Sequence, residues 1–228
     1  MQPYIFPYIG YFQLVNAVDV FVFYDDVNFI KRGWINRNQL LVNGGANLFS
    51  IPLVKASQNK LIKETALGYD DKWLKQFYAT LAFNYKKAPY YKETMALVQQ
   101  IFSTQHLTIA DLAIDSVQKI ANHLEVKTVF EKSSDKYPHT KGMDKADRLI
   151  EITKLCQADT YVNPSGGKEL YTKKQFKAQD INLFFIQNNI SPYPQFEANF
   201  VGGLSMIDVL MFNSKEQIQH LLNEYTLV

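Results

Sequence analysis

Residues 19–26 read Asp-Val-Phe-Val-Phe-Tyr-Asp-Asp, a continuous apolar run of β-branched and aromatic side chains that ends in two acids. Such a run is typical of a short strand buried on both faces. The preceding residues, 10–18, carry apolar side chains at helical spacing and predict a short helix. A helix next to a doubly buried strand predicts a βαβ unit and therefore parallel strand pairing.

Two further runs, residues 36–42 and 47–54, are joined by Asn43-Gly44-Gly45-Ala46. Asn-Gly supplies the positive φ angles of a tight turn, so the sequence predicts a β-hairpin here. Residues 70–126 differ, because they contain long helical patterns and no strong strand candidate. We expect three helices in a helical insertion, divided near Pro89 and His106.

The remaining chain alternates between strand and helix patterns. The sequence predicts strands at residues 127–131, 159–163 and 181–187, a polar loop at 132–142, and helices at 144–158, 172–179, 205–213 and 214–225. This alternation indicates an α/β fold, which we expect to be a Rossmann-like layered sheet. No linker divides the chain, so we expect a single domain over residues 1–228, with the helical insertion inside it.

Composition narrows the class of partner. The chain has 24 Lys and Arg against 22 Asp and Glu, and a net charge of +2 gives no support to nucleic-acid binding. Cys156 is the single cysteine, so no disulfide forms within the chain. No apolar run approaches 18 residues, which predicts no transmembrane segment and a cytoplasmic location. The four histidines lack metal-ligand spacing, and neither a cofactor nor an oligomeric state can be named.

Candidate catalytic residues follow the first strand and lie in the polar loop. Asp25 and Asp26 come at a strand end, where ligands collect in open α/β sheets, so one could be a general base; a simple charged turn is the alternative. His139 is the histidine placed to exchange protons, with Lys141 beside it on a loop that could close over substrate.

Two further segments could bind an anion. Arg37 and Asn38 could clamp a carboxylate or phosphate, although Arg37 could instead stack on Trp34 or pair with an acid. The turn Ser165-Gly166-Gly167 could cradle an anion with its backbone N–H groups, but its spacing is not that of a P-loop, and the bare Gly-Gly signal favours a plain tight turn.

Several sequence blocks, in this order along the chain, resemble the WbqC-like family. They are Gln2-Pro3-Tyr4-Ile5-Phe6-Pro7-Tyr8-Ile9-Gly10-Tyr11-Phe12-Gln13-Leu14, residues 19–27, Trp34-Ile35-Asn36-Arg37-Asn38, Tyr161-Val162-Asn163-Pro164-Ser165-Gly166-Gly167, Tyr193-Pro194-Gln195-Phe196 and residues 204–213. The resemblance implies a role in bacterial surface polysaccharide (O-antigen) synthesis. It implies transfer of an aminoacyl or acyl group, glycine being one suggestion, onto a nucleotide-linked sugar. It also places the polar residues Gln2, Gln195, Ser205 and Asp208 among the candidate substrate contacts.

Two other functions remain open. Tyr8-Ile9-Gly10-Tyr11 resembles the His-x-Gly-His motif of HIGH-type nucleotidylyltransferases with tyrosine in both histidine positions, so Tyr8 and Tyr11 either line a nucleotide crevice or are core aromatics. A non-catalytic scaffold of the polysaccharide machinery would explain the lack of a standard catalytic motif. It explains less well why so many polar groups lie in the shared blocks.

Overall fold

The computed structural model describes residues 1–196 and 199–228 as a mixed α/β protein. Its α-helices are α1 Ile9–Asn16, α2 Asp71–Tyr85, α3 Tyr91–Ser103, α4 Ile109–His123, α5 Ser133–Lys136, α6 Lys145–Leu155, α7 Lys173–Lys177, α8 Met206–Phe212 and α9 Lys215–Leu221. Its strands are β1 Val20–Phe23, β2 Arg37–Val42, β3 Gly45–Ser50, β4 Val129–Lys132, β5 Thr160–Pro164, β6 Asn182–Asn188 and β7 Tyr225–Leu227. None of these helices is both long and apolar enough to cross a bilayer.

Within residues 1–196 and 199–228 the strands form three small sheets rather than one. β1 pairs with β4 in parallel, β2 pairs with β3 as an antiparallel hairpin, and β6 lies between parallel β5 and antiparallel β7. The α/β class is therefore correct, whereas the Rossmann-like layered sheet is not confirmed. The physical reason is that β1 and β5 face each other across an open groove instead of pairing.

The hairpin of β2 and β3 has the turn that its residues predict. Asn43 and Gly44 have φ of 50° and 73°, and they alone form the turn between Val42 and Gly45. Positive φ at both central residues is the property of the type I′ turn, which matches the twist of paired strands. The prediction is confirmed, with Gly45 and Ala46 belonging to β3 rather than to the turn.

The three predicted middle helices are α2, α3 and α4. Helix α4 begins with a capping box, in which Thr108 Oγ1 accepts from the Asp111 N–H and Asp111 Oδ2 accepts from the Thr108 N–H. These helices share one hydrophobic core with α1, β1 and α8. A smaller cluster joins α6, α7 and β6. The boundaries of a helical insertion remain a prediction.

Two predicted elements differ from the structure. The segment expected to be a polar loop contains α5 and a 3₁₀ turn, Pro138–Thr140. The last predicted helix ends at Leu221, and the chain then forms β7. In the second case the free edge of β6 pairs with Tyr225–Leu227 and so overrides the helical sequence pattern.

Candidate functional site

Two parallel strands end side by side, and each continues into a pair of polar residues. After β1 come Asp25 and Asp26, and after β4 come Ser133 and Ser134, the first residues of α5. Asp25 accepts the Ser134 backbone N–H at 3.0 Å and the Ser134 hydroxyl at 2.6 Å. A carboxylate at this position satisfies the free N–H groups of a helix start and opposes its dipole.

A buried ion pair extends this cluster. Arg148, from α6, donates through Nη2 to both carboxylate oxygens of Asp26, at 2.7 and 2.9 Å, and the Ser133 hydroxyl donates to Asp26 at 2.6 Å. Arg148 Nε also donates to Thr140 Oγ1 at 3.1 Å. Asp26 and Arg148 are only 4% and 6% exposed. The pair therefore ties the end of β1 to α6 and to the Pro138–Thr140 turn.

The aromatic ring of Tyr24 covers the other side of this arginine. The guanidinium carbon of Arg148 lies 4.5 Å from the centroid of the Tyr24 ring, a cation–π distance. The Tyr24 hydroxyl is buried and has no hydrogen-bond partner among the described residues. Burial raises the pKa of Tyr24 to about 12, although the nearby Arg148 acts in the opposite direction. Tyr24 is therefore a neutral phenol at physiological pH.

His139 and Lys141 flank Thr140 and are both exposed. Thr140 itself is fully buried and receives the Arg148 hydrogen bond. We call Tyr24, Asp25, Asp26, Ser133, Ser134, Thr140 and Arg148 the strand-end cluster. The structure thus places His139 and Lys141 next to this cluster in the chain. Within the described residues neither side chain is engaged in a hydrogen bond or ion pair. His139 and Lys141 are thus exposed, whereas Asp25 and Asp26 are buried and accept hydrogen bonds from the protein.

Arg37 and Asn38 make hydrogen bonds to different segments of the chain. Asn38 is buried and donates to the carbonyl oxygens of Ile5 and Phe6 at 3.1 and 2.7 Å, which holds the amino-terminal segment against β2. Arg37 Nε donates to the Gly33 carbonyl oxygen at 3.0 Å, and its Nη2 contacts the Arg32 carbonyl oxygen. Arg37 therefore holds the loop that precedes β2, and among the described residues it neither stacks on Trp34 nor pairs with an acid.

Asp208 is the centre of a separate buried network. It accepts the Tyr85 hydroxyl at 2.9 Å, the Tyr193 hydroxyl at 2.6 Å and the Gln195 side-chain amide at 2.8 Å. Burial raises the pKa of Asp208, and these three donors oppose that rise. Because Asp208 is wholly buried and its donors come from the protein, its observed contacts are structural.

The turn after β5 is compact. Ser165 Oγ donates to the Ile186 carbonyl oxygen at 2.5 Å, and a Cβ on Gly167 would lie 2.7 Å from Asn163 Nδ2. Gly167 is therefore required for close packing under the turn. Ser165 and Gly166 are exposed, and Gly166 has open space around it. This turn remains accessible to a ligand.

The tyrosines at the start of α1 differ in exposure. Tyr11 is buried, and its hydroxyl donates to the Gln2 carbonyl oxygen at 2.9 Å, so it is a core aromatic. Tyr8 is half-buried and its ring lies over Gly10, where a Cβ would approach Tyr8 Cε2 to 2.3 Å. Asn188, at the end of β6, donates to the Gly10 carbonyl oxygen at 3.1 Å. Only the first tyrosine of the motif that resembles His-x-Gly-His is therefore open to a ligand.

The predicted site residues lie in separate groups. No hydrogen bond or ion pair connects Asp25, Arg37, Ser165 and Asp208 within residues 1–196 and 199–228. Ser205 belongs with Asn38, since its hydroxyl donates to the Phe6 carbonyl oxygen at 2.9 Å. The structure therefore does not join these four groups by direct contact, and their roles toward substrate remain predictions.

Sequence reasoning missed part of the strand-end cluster. Its unpredicted members are Tyr24, Ser133, Ser134, Thr140 and Arg148. The two serines carried a readable signal, because they follow a strand as the two aspartates do. Arg148 carried none, since it lies in an amphipathic helix whose pattern does not show which polar residue turns inward.

A family model and one known protein each match nearly the whole chain. The model of the WbqC-like protein family matches residues 2–220. The uncharacterized protein Rv1507c of Mycobacterium tuberculosis (strain ATCC 25618 / H37Rv) is 29% identical over 210 residues, which cover 91% of this chain and 89% of that protein. No solved structure matches.

Proposed function

The chain belongs to the WbqC-like protein family, and we propose that it is a transferase that moves an aminoacyl or acyl group, such as glycyl, onto a nucleotide-linked sugar. The product would enter bacterial surface polysaccharide synthesis. This proposal combines the family resemblance of the sequence blocks with the arrangement of polar groups at the ends of β1 and β4.

One observation carries the proposal. Exposed His139 and Lys141 lie on either side of Thr140, which the Arg148–Asp26 pair anchors to the strand ends. A proton-exchanging group and a cation thus stand together on a segment whose position is fixed by buried contacts. Fixed placement of reacting groups is what a group-transfer site needs, because it removes the entropy cost of aligning them.

The chemistry assigns one role to each exposed group. Lys141 holds the phosphates of the nucleotide-linked sugar by charge. His139 accepts the proton of the sugar hydroxyl or amine as that atom forms its bond to the acyl carbon, and the bond from the acyl carbon to its carrier breaks. The same proton then passes to the leaving group of the carrier. Asp25 and Asp26 position the loop in this scheme rather than acting as the base.

The other residues that the sequence predicted to contact substrate are partly exposed and partly buried. Tyr8, Ser165 and Gly166 have surface to offer a sugar or phosphate. Tyr11 and Asp208 are buried with their polar atoms engaged, and we assign them to the scaffold of the protein.

A thermal-shift measurement tests the ligand class. UDP-N-acetylglucosamine, UDP, ATP and glycine are added separately to the full chain, and the melting temperature is recorded. A ligand at 100 times its Kd stabilises by about 2.7 kcal/mol, which corresponds to a rise of roughly 5–10 °C for a domain of this size. We expect such a rise with the nucleotide sugar. The rise should disappear in Lys141→Ala and persist in Lys92→Ala, a matched exposed lysine on α3.

The other functions make different predictions in the same experiment. Stabilisation by ATP alone, together with release of pyrophosphate, would favour a nucleotidylyltransferase. Absence of any shift across the nucleotide sugars and nucleotides would favour a scaffold. If a nucleotide sugar binds, turnover with activated acyl donors is measured next. His139→Ala should then lower kcat by roughly 10²–10⁴-fold with little change in KM, whereas His220→Ala, at another exposed histidine, should change neither.

A further inference from the structure

Residues 27–63 contain six cationic side chains and no acidic one. The cations are Lys31, Arg32, Arg37, Lys55, Lys60 and Lys63. Since the whole chain has a net charge of +2 and this segment contributes +6, the remaining residues sum to −4. The positive charge of the molecule is therefore concentrated in this segment.

The loop that precedes β2 carries part of this charge at its tip. A backbone turn forms the tip, in which the Gly33 N–H donates to the Ile30 carbonyl oxygen at 3.2 Å. Lys31 and Arg32 are the central residues of that turn, and both are exposed. Ile30 and Trp34, on either side of them in the chain, are 47% and 44% exposed. The tip therefore presents two cations between two large apolar side chains.

Arg32 holds an unfavourable backbone conformation at this tip. Its φ is 60°, in the left-handed region that favours glycine. Glycine would adopt this φ without strain, so an arginine is not what the turn itself requires. Strain of this kind clusters at ligand-binding sites, which indicates a task for the side chain.

The outer face of the β2–β3 hairpin continues the same surface. The Arg37 guanidinium contacts two carbonyl oxygens of the turn, and neutral carbonyl groups leave its charge uncompensated. Arg37 pairs with Ser50 across the hairpin, and Leu48 lies two residues from Ser50 on the same face. This face points outward, because Asn38 and Leu40, which alternate with it along β2, are buried. Leu48 is 45% exposed.

The turn and the hairpin face together form what we call the basic-apolar surface, which consists of Ile30, Lys31, Arg32, Trp34, Arg37 and Leu48. An anionic lipid bilayer matches both halves of this composition. Its headgroups supply negative charge, and the boundary between headgroups and acyl chains accepts apolar side chains. Tryptophan favours that boundary because its ring is amphipathic. Single-stranded nucleic acid matches less well, because its bases stack on aromatic rings and two of the three apolar side chains are aliphatic.

We propose that the basic-apolar surface docks this protein onto an anionic phospholipid bilayer. Lys31 and Arg32 lie among the headgroups, and Ile30 and Trp34 reach the level at which the acyl chains begin. The residues outside the 27–63 segment carry net negative charge, so long-range attraction to the bilayer acts through this segment. This inference goes beyond the proposed transferase, because none of the six residues belongs to the groups assigned to that reaction.

Sedimentation of the full chain with lipid vesicles tests the proposal. The vesicles contain phosphatidylcholine alone, or phosphatidylcholine with about one-third phosphatidylglycerol as the anionic lipid. We expect the anionic vesicles to bind at least about tenfold more tightly, because each cation near the bilayer contributes about fivefold. The difference should shrink as the NaCl concentration is raised, since salt screens these charges.

One substitution separates docking from folding. Arg32→Gly should weaken binding to the anionic vesicles about fivefold without lowering the melting temperature, because glycine adopts φ of 60° without strain. Lys92→Ala removes the same charge from an exposed position on α3 and should leave binding unchanged. Equal weakening by both variants would show that binding follows net charge rather than the basic-apolar surface, and would overturn the proposal.

Trp34 reports its own environment. Trp73→Phe leaves Trp34 as the single tryptophan, and its emission should shift to shorter wavelength with anionic vesicles and be quenched by lipids brominated in their acyl chains. Trp34→Ala should weaken binding roughly three- to tenfold, since nearly half of this side chain leaves water on docking. Phe83→Ala, at an apolar side chain on α2 that is 81% exposed, should not weaken it.

The remaining outcomes contradict docking onto an anionic bilayer. Equal binding to neutral and anionic vesicles would overturn the role of charge, and absence of binding to both would overturn docking itself. Binding that leaves the Trp34 emission unchanged would mean that another surface contacts the lipid. Poly(dT) is measured in parallel, and binding of this oligonucleotide without binding of vesicles would identify a nucleic-acid surface instead.

Discussion

Arg32, Arg37 and Arg148 are the three arginines of the chain, and their surroundings differ in kind. Arg32 is exposed, and Arg37 donates to carbonyl oxygens of its own loop. Arg148 is buried, with an ion pair, a hydroxyl acceptor and an aromatic ring around one guanidinium group. The sequence suggested Arg37 as the arginine that clamps a carboxylate or phosphate, because Asn36 and Asn38 flank it. Arg148 has more specific contacts because a planar guanidinium meets several partners at once.

Replacement of Arg148 by methionine should destabilise the protein by about 3–5 kcal/mol, since it leaves the buried Asp26 carboxylate without its counter-charge. The free energy of unfolding in urea measures the loss. Arg32→Met is the matched control and should change stability by less than about 0.5 kcal/mol.

The double variant Asp26→Asn with Arg148→Met distinguishes an uncompensated charge from lost packing. We expect it to be more stable than Arg148→Met alone, because the remaining buried charge has been removed. A double variant less stable than either single variant would contradict this account of the Arg148 effect.

Gly10 makes a second prediction at the residue scale. Alanine normally stabilises a helix interior by up to about 1 kcal/mol relative to glycine. At Gly10 the added Cβ would meet Tyr8 Cε2 at 2.3 Å and Asn188 Cγ at 3.0 Å. Gly10→Ala should therefore destabilise by about 1–3 kcal/mol, the usual range for overpacking.

Thermal unfolding of a double-mutant cycle checks the cause. In a Tyr8→Ala background the same Gly10→Ala change should cost at least 1 kcal/mol less than in the parent. Equal costs in both backgrounds would show that the Tyr8 ring is not the obstacle.

At the scale of elements, Tyr85 joins three parts of the fold. Its hydroxyl accepts the Leu41 N–H of β2 at 2.6 Å and donates to Asp208 of α8 at 2.9 Å, while its own backbone ends α2. Tyr193 donates its hydroxyl to the same carboxylate at 2.6 Å but has no contact with β2 among the described hydrogen bonds. The two tyrosines therefore offer a matched comparison within one network.

Tyr85→Phe should cost about 2–4 kcal/mol, because it leaves both the Leu41 N–H and one Asp208 oxygen without a partner. Tyr193→Phe should cost about 1–2 kcal/mol. Hydrogen exchange of the Leu41 amide gives the specific readout, since it should accelerate in the first variant only. Equal acceleration in both would mean that Tyr85 does not protect β2 directly.

The sequence predicted elements where the signal is local. The Asn43-Gly44 turn and the Thr108–Asp111 helix start both follow from residues within four positions of each other. It failed for β7, whose strand state depends on the distant edge of β6. It failed again for α5, whose start is held by Asp25, more than 100 residues earlier in the chain.

For the whole molecule, the sequence indicated where polar residues follow the strands, but it did not indicate which of them contact one another. Strand ends, their acids and the His139 loop follow from pattern, and the structure places His139 and Lys141 beside the Asp26 cluster. The burial of Asp25, Asp26 and Asp208 could not be predicted, because it depends on which distant donors reach each carboxylate. The division into three sheets could not be predicted from pattern either, because strand pairing depends on residues far apart in the chain.

The tyrosines make the stability of the whole molecule depend on pH in the alkaline range. Burial raises the pKa of most of the 14 tyrosines, and that of Tyr24 rises to about 12. In the unfolded chain each tyrosine loses its proton near pH 10. The folded state therefore binds more protons than the unfolded state above that pH, and the free energy of unfolding must fall as pH rises. This stabilising contribution is complete below pH 10 and is lost as pH rises toward the folded pKa values.

Each buried tyrosine removes up to about 1.4 kcal/mol of stability per pH unit above 10, so a few of them exceed the stability of a typical domain within two units. We expect one cooperative alkaline transition in which phenolate absorbance and loss of circular dichroism coincide. In denaturant the same absorbance should titrate near pH 10 without a step. Gradual titration of the native protein with unchanged circular dichroism would show that the phenols are reached by solvent, because only then can they ionise without unfolding.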